Sequence, residues 1–131
     1  MSSSQNHRAL KLKPTDKVVF TALSKKYFYM RFFVVKFALE QGVTPINPFT
    51  SFDYFLLDAV PRDAVRRANN TLVARSDELW VFGDIADGVR AEIVQARQQN
   101  KPVRYFAFSK DKNITEIDQA DLVYEAGVER L

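Results

Sequence analysis

Three carboxylates crowd one short stretch of this chain: Asp84, Asp87 and Glu92, in GDIADGVRAE. The stretch follows the apolar run ELWVF and opens a segment of helical spacing that leads past Pro102 into VRYFA. Strand, crossover helix, strand is the βαβ unit. In such units ligands sit beyond the carboxyl ends of the strands, where this loop lies. The helix start there offers free backbone donors and attracts anions. Glu92, one turn inside the helix, is expected to project back toward the same space. There it could bind hydroxyls, act as a base or attack a glycosidic carbon. The plain alternative is that acidic residues complement the positive end of a helix without any chemistry. Asp63, after Pro61, either reaches the same crevice or caps its own helix. Asp53, Tyr27 and Tyr54 are further pocket candidates, and both tyrosines serve equally well as core or interface residues.

Other chemistries are excluded by what the sequence lacks. GDIADG does not have GxGxxG spacing, and neither a GxxxxGK[ST] loop nor a GxSxG elbow occurs. There is no cysteine, and the single histidine, His7, stands in a polar leader. Disulfides, thiolate chemistry and histidine-cluster metal sites are therefore ruled out. No cofactor is expected.

The elements that must hold these residues follow from patterning. The chain has 131 residues, 47% hydrophobic and 27% charged, which suits one domain with a real core. Residues 1–16 are expected to form a flexible basic segment. Through residue 17, Arg8, Lys11, Lys13 and Lys17 stand against Asp16 alone, so this end accounts for the whole net charge of +3. The domain spans 17–131, and beyond Lys17 it carries no net charge that would favour nucleic acid. No apolar run is long enough to span a bilayer and no apolar signal segment opens the chain, so a cytoplasmic protein is expected.

KVVFTAL (17–23) reads as a strand covered on both faces. Ser24 caps a helix over 25–41 that ends at Gly42. Tyr27, Phe28, Met30, Phe33, Val34, Phe37 and Ala38 suffice for its sheet-facing stripe. Tyr29, Phe32, Val35 and Leu39 are extra, so a second apolar face needs cover. A second subunit provides it in one reading, and the following segment of the same chain in the other. VTPIN (43–47) is a brief strand whose Pro45 marks an edge or an irregular start. Residues 49–60 form a lid, an oligomer contact or core. Asp63 starts a helix over 64–75, with Val65, Ala68, Leu72 and Val73 toward the sheet. Leu79–Phe82 is a strand, 88–99 the crossover helix and 102–107 another strand. In the crossover helix Arg90 points outward. Beyond them, 113–118 forms a small strand or turn and 119–126 a short helix capped by Gly127. Ile114, Ile117, Leu122 and Val123 pack back on the domain.

In order and spacing, these pieces resemble the nucleoside 2-deoxyribosyltransferase-like superfamily, which includes nucleotide N-glycohydrolases. The resemblance rests on Val18–Leu23, the helix closing at Gly42, Ile46-Asn47-Pro48 and Asp63. It continues through Ser76-Asp77 into the strand ending at Phe82, Asp87-Gly88 with Glu92, and Ala96 through Val103. It implies a Rossmann-like, flavodoxin-like α/β domain: three layers, a mainly parallel sheet of four or five strands, helices on both faces. It implies that Glu92 is the nucleophile on the sugar C1′ and that Asp63 assists as proton donor or base ligand. The Gly88 loop, with Asp84 and Asp87, would hold sugar hydroxyls or a 5′-phosphate. The family's glycine-rich first turn is absent: the chain reads Ala22-Leu23-Ser24-Lys25-Lys26. Ser24, Lys25 and the helix start would replace that turn. Arg90 either binds phosphate or closes the pocket, and Asn113 is the available counterpart of the family's C-terminal asparagine.

The expected activity is therefore nucleoside or nucleotide binding, with cleavage or transfer at an N-glycosidic bond in a homodimer or larger homo-oligomer. The alternatives are a non-catalytic nucleotide-sensing module and a structural interaction protein.

Overall fold

The computed structural model describes residues 6–52 and 59–131. Its centre is a five-stranded sheet of β1 (Val18–Leu23), β2 (Thr44–Ile46), β3 (Glu78–Phe82), β4 (Val103–Phe108) and β5 (Ile114–Ile117). The spatial order is β2-β1-β3-β4-β5. The first four strands run parallel and β5 closes the far edge antiparallel to β4. This is the flavodoxin-like order of a Rossmann-like α/β domain, with its topological switch point between β1 and β3.

Strand alternation builds two cores. Val19 and Leu23 of β1, Trp80 and Phe82 of β3 and Phe106 of β4 pack with Val34 and Ala38 of helix α1 (Arg31–Glu40). Phe20, Ala22, Leu79, Val81 and Tyr105 face the other way. They meet Val73 of α3 (Arg62–Arg75) and Val89, Ile93 and Ala96 of α4 (Asp87–Gln98). The central strand β3 is buried along its whole length, as expected of a parallel strand covered on both faces. Asp77 fastens β3 to β1 from outside the ladder: its carboxylate accepts from Val18 N–H at 2.7 Å, and its own N–H donates to Val18 O at 2.7 Å. No helix among the described residues is long and apolar enough to cross a membrane.

Four local expectations need correction. The helix expected over 25–41 is split. Lys25–Met30 is 3₁₀ and the α-helix begins at Arg31, because Tyr27 departs from helical geometry (φ −106°, ψ 20°). Its ring packs against Phe108 instead, with centroids 5.1 Å apart. Asp63 does not cap its helix. Pro61 occupies the cap and Asp63 lies inside the first turn of α3. The helix expected over 119–126 is only a 3₁₀ turn, Gln119–Asp121. The chain then runs extended and pairs Tyr124 with Ile85. Leu122 is buried as expected, but Val123 is exposed. Its carbonyl, not its side chain, makes the contact, accepting from Ile85 N–H.

The surplus apolar residues are exposed among the described residues: Tyr29 of the 3₁₀ turn and Phe32 and Leu39 of α1 are 62%, 66% and 58% exposed. The short helix α2 (Pro48–Ser51) starts the segment expected to form a lid, an oligomer contact or core. Asp53, Tyr54 and the rest of that segment through residue 58 lie outside the described residues.

Candidate functional site

The loops after β1, β2 and β3 open at the same end of the sheet, because the three strands are parallel. Ser24 follows β1 and is buried. Its hydroxyl caps the 3₁₀ turn, accepting from Lys26 N–H at 3.3 Å, and donates to Glu125 Oε2 at 2.6 Å. The ammonium of Lys26 pairs with Asp84 at 2.8 Å, which raises the lysine pKa through that hydrogen bond and charge. Asp84 also acts on Tyr27: burial first, and then the carboxylate, push the phenol pKa up. Between them Gly83 adopts φ +80°, and an added Cβ would stand 2.8 Å from Tyr27 Cε2. Glycine is thus required twice over, for its backbone conformation and for the close approach of the tyrosine ring.

Glu92 stands on the second turn of α4. Val89, Glu92, Ile93 and Ala96 form the buried stripe of that helix, at the spacing of a core-facing side. A carboxylate in that stripe is anomalous, because burial without a cation disfavours ionisation. Burial pushes its pKa up to about 7, and a hydrogen bond from Asn69 partly counters the shift. That bond, Asn69 Nδ2 to Glu92 Oε2, is 2.6 Å long and comes from the neighbouring helix α3.

The chain has a second buried glutamate, Glu78, at the start of β3. It accepts from Trp80 Nε1 at 3.0 Å and from Lys17 Nζ at 2.9 Å. Burial pushes its pKa up, but the Trp80 and Lys17 hydrogen bonds outweigh burial and hold it below the usual value. It sits at the amino end of the strand, opposite the ligand end of a parallel sheet.

The other expected site residues divide. Asp84, Ser24 and Tyr27 are brought together at the switch point. Asp63 is exposed and pairs with Arg66 at 2.9 Å, so the hydrogen-bond partner of Glu92 is Asn69 rather than Asp63. Asp87 and Gly88 form the exposed first turn of α4, and a Cβ at Gly88 would meet nothing within 4 Å. Arg90 turns to the carboxyl-terminal segment, where its Nε donates to Glu129 O at 2.8 Å. Asn113 is exposed in the β4–β5 hairpin.

Residue-by-residue reading missed Asn69, Lys26 and Glu125. Asn47 has no site role there beyond ending the strand over 43–47 and belonging to the Ile46-Asn47-Pro48 motif. Asn47 follows β2 and is 1% exposed. Its Oδ1 accepts from Phe49 N–H at 2.9 Å, while its Nδ2 has no hydrogen-bond partner among the described residues. A buried amide donor without an acceptor is costly to keep. The Ile46-Asn47-Pro48 motif was the signal available for it.

The family model described as Domain of unknown function (DUF7768) matches residues 23–106. No curated protein matches the chain. Among solved structures it is similar to the 2-desoxiribosyltransferase from Leishmania mexicana, with a TM-score of 0.56 and 13% identity. The match covers 86% of this chain and 88% of that one. At that identity the likeness is one of fold.

Proposed function

This chain belongs to the family described as Domain of unknown function (DUF7768), and from that premise we propose that it binds a nucleoside or nucleotide and cleaves or transfers at the N-glycosidic bond through Glu92. The observation that carries the reading is the buried Glu92 carboxyl, answered by an amide instead of a cation and held near pKa 7. A group poised there supplies both protonation states at neutral pH. The fold shared with a 2-desoxiribosyltransferase supports the same assignment.

In this mechanism the ionised Glu92 attacks C1′ of the sugar. The C1′–N bond breaks, and the base leaves with its bonding pair and takes a proton. A glycosyl ester remains on Glu92. Water or the nitrogen of a second base then displaces the carboxylate at C1′. Asp63 is the acid assigned to the departing base. It lies six residues before Asn69 on α3 and must part from Arg66 to act. Asn69 orients the nucleophile. The Nδ2 of Asn47, without a partner among the described residues, and the open first turn at Asp87 and Gly88 are assigned to ligand contacts.

The test is release of free base from a panel of deoxynucleosides and their monophosphates. Wild type releases base from at least one. Glu92→Gln abolishes release with the circular dichroism spectrum unchanged, and a quenched wild-type reaction carries a sugar adduct on Glu92.

The Asn69 bond also favours a second reading, in which Glu92 is a polar lock between α3 and α4 in a non-catalytic ligand-sensing module. Saturable nucleoside binding with no base release by wild type selects that reading.

A further inference from the structure

Asn47 is a buried amide of which the described chain uses one half. It is 1% exposed and follows β2 directly. Its Oδ1 accepts from Phe49 N–H at 2.9 Å and so caps α2. That bond fixes the orientation of the amide: the oxygen is committed, and the nitrogen can only donate. Nδ2 has no hydrogen-bond partner among the described residues. A buried donor without an acceptor costs stability, and a serine would cap α2 without that cost. An acceptor that arrives with a ligand accounts for the asparagine.

The packing of β2 joins this residue to Glu92. Ile46, just before it, packs against the cluster that contains Val89 and Ile93. Those two residues flank Glu92 in the buried stripe of α4. Asn47 is extended (φ −120°, ψ 125°), so its side chain turns to the opposite face of the sheet from that of Ile46. On that face Val43 and Phe49, before and after it in the chain, pack with the cluster of Leu23 and Phe82. Glu92, near the start of α4, and Asn47, at the end of β2, therefore stand at the ligand end of the sheet, one on each face. The strand between β2 and β3 is β1.

We propose that Asn47 determines which bases the site accepts: it selects bases with a carbonyl oxygen on the edge remote from the sugar over counterparts with an amino group there. A nucleoside with its sugar at Glu92 lays its base across the end of β1 and brings that edge to Nδ2. A carbonyl accepts the Nδ2 proton. An amino group sets donor against donor and leaves Nδ2 buried and unpaired. A freely turning asparagine reads either base by exchanging its oxygen and nitrogen, but this one would lose the cap of α2 in doing so. The proposal rests on the nucleoside reading above and narrows it.

The experiment compares two matched pairs, deoxyinosine with deoxyadenosine and deoxyuridine with deoxycytidine, by calorimetric binding and by base release, on wild type, Asn47→Ser and Asn47→Ala. In at least one pair wild type should bind the carbonyl member about tenfold or more tighter than the amino member. Asn47→Ser keeps a cap for α2 but removes the donor, so the two members should come within about threefold of each other. Its midpoint in chemical denaturation should be no lower than that of wild type, an outcome that an amide paired within the chain would not give. Asn47→Ala should lose the same preference but unfold at a lower midpoint than Asn47→Ser, which separates the capping oxygen from the ligand-reading nitrogen. If the carbonyl member is preferred but no base is released, the catalytic reading falls and the role of Asn47 stands. Base release by wild type with no preference for the carbonyl member in either pair overturns the role of Asn47 and leaves that of Glu92 in place. A preference that survives in Asn47→Ser overturns it too, as does a lower midpoint for that variant. Absence of binding of all four ligands to wild type overturns it together with the nucleoside reading.

Discussion

Asn69 Nδ2 donates to Glu92 Oε2 at 2.6 Å, so the buried carboxyl of α4 is held by a neutral amide from α3. An amide steadies a carboxylate but does not cancel its charge, and burial therefore keeps the pKa near 7 against an ordinary 4.5. The folded chain holds this proton more tightly than the unfolded chain does. Stability from this group is fully present below pH 4.5 and is lost as pH rises through about 7. The loss is on the order of 3 kcal/mol. Denaturant titrations from pH 4 to 8 should show that decline in wild type and little of it in Glu92→Gln.

Rate should move oppositely with pH. The nucleophile must be ionised, so base release should rise through pH about 7. Asn69→Ala removes the hydrogen bond that lowers the Glu92 pKa. The midpoint of the pH–rate profile should then move to higher pH, with slower release at neutrality. An unchanged midpoint in Asn69→Ala would separate Glu92 from the rate-determining ionisation.

Gly83→Ala should destabilise the chain by about 1–3 kcal/mol, through strain at positive φ and through collision with the Tyr27 ring. Truncating the ring relieves the collision alone. In the Tyr27→Ala background the cost of Gly83→Ala should therefore shrink but not vanish, as chemical denaturation of the four chains would reveal.

Glu78→Ala should cost about 1–3 kcal/mol, because it strands the buried Trp80 indole N–H. Glu78→Gln keeps an acceptor for that donor and should cost less. Lys17 is largely exposed, so Lys17→Ala should be nearly silent by the same measurement. None of the three changes should alter ligand affinity, since Glu78 lies at the amino end of β3.

Tyr29, Phe32 and Leu39 form an apolar face on and beside α1 that is exposed among the described residues. Self-association through it should give a particle heavier than one chain in light scattering. Phe32→Glu should return it to the mass of one chain.

The sheet was legible because its signals were local. Apolar runs of strand length, separated by helical periodicity and closed by Gly42 or Ser76-Asp77, fixed the order of β1 to β4. The site was legible in part. Glu92 stood out through its place after Asp87-Gly88 and through the family resemblance, whereas its burial in one stripe with Val89, Ile93 and Ala96 was not legible and emerges only in the fold. Its partner Asn69 was hidden, because which face of α3 meets α4 depends on how both helices lie on the sheet. Asp63 misled for the reverse reason: its type and position suited the site, but Arg66 one turn along was a nearer partner. Glu125 lies 101 residues from Ser24, and no local pattern announces a contact of that range.

The proline of β2 has a consequence for how copies of this chain can meet. Thr44 N–H donates to Lys17 O in the ladder with β1. By strand alternation the nitrogen of Pro45, the next residue, points away from β1. It therefore costs the sheet no hydrogen bond, yet removes a donor from the open margin. A strand from another molecule arriving there finds a three-residue template with its central amide blocked. Growth of the sheet from one chain into the next is disfavoured at this edge, which protects a β-rich core from templated aggregation.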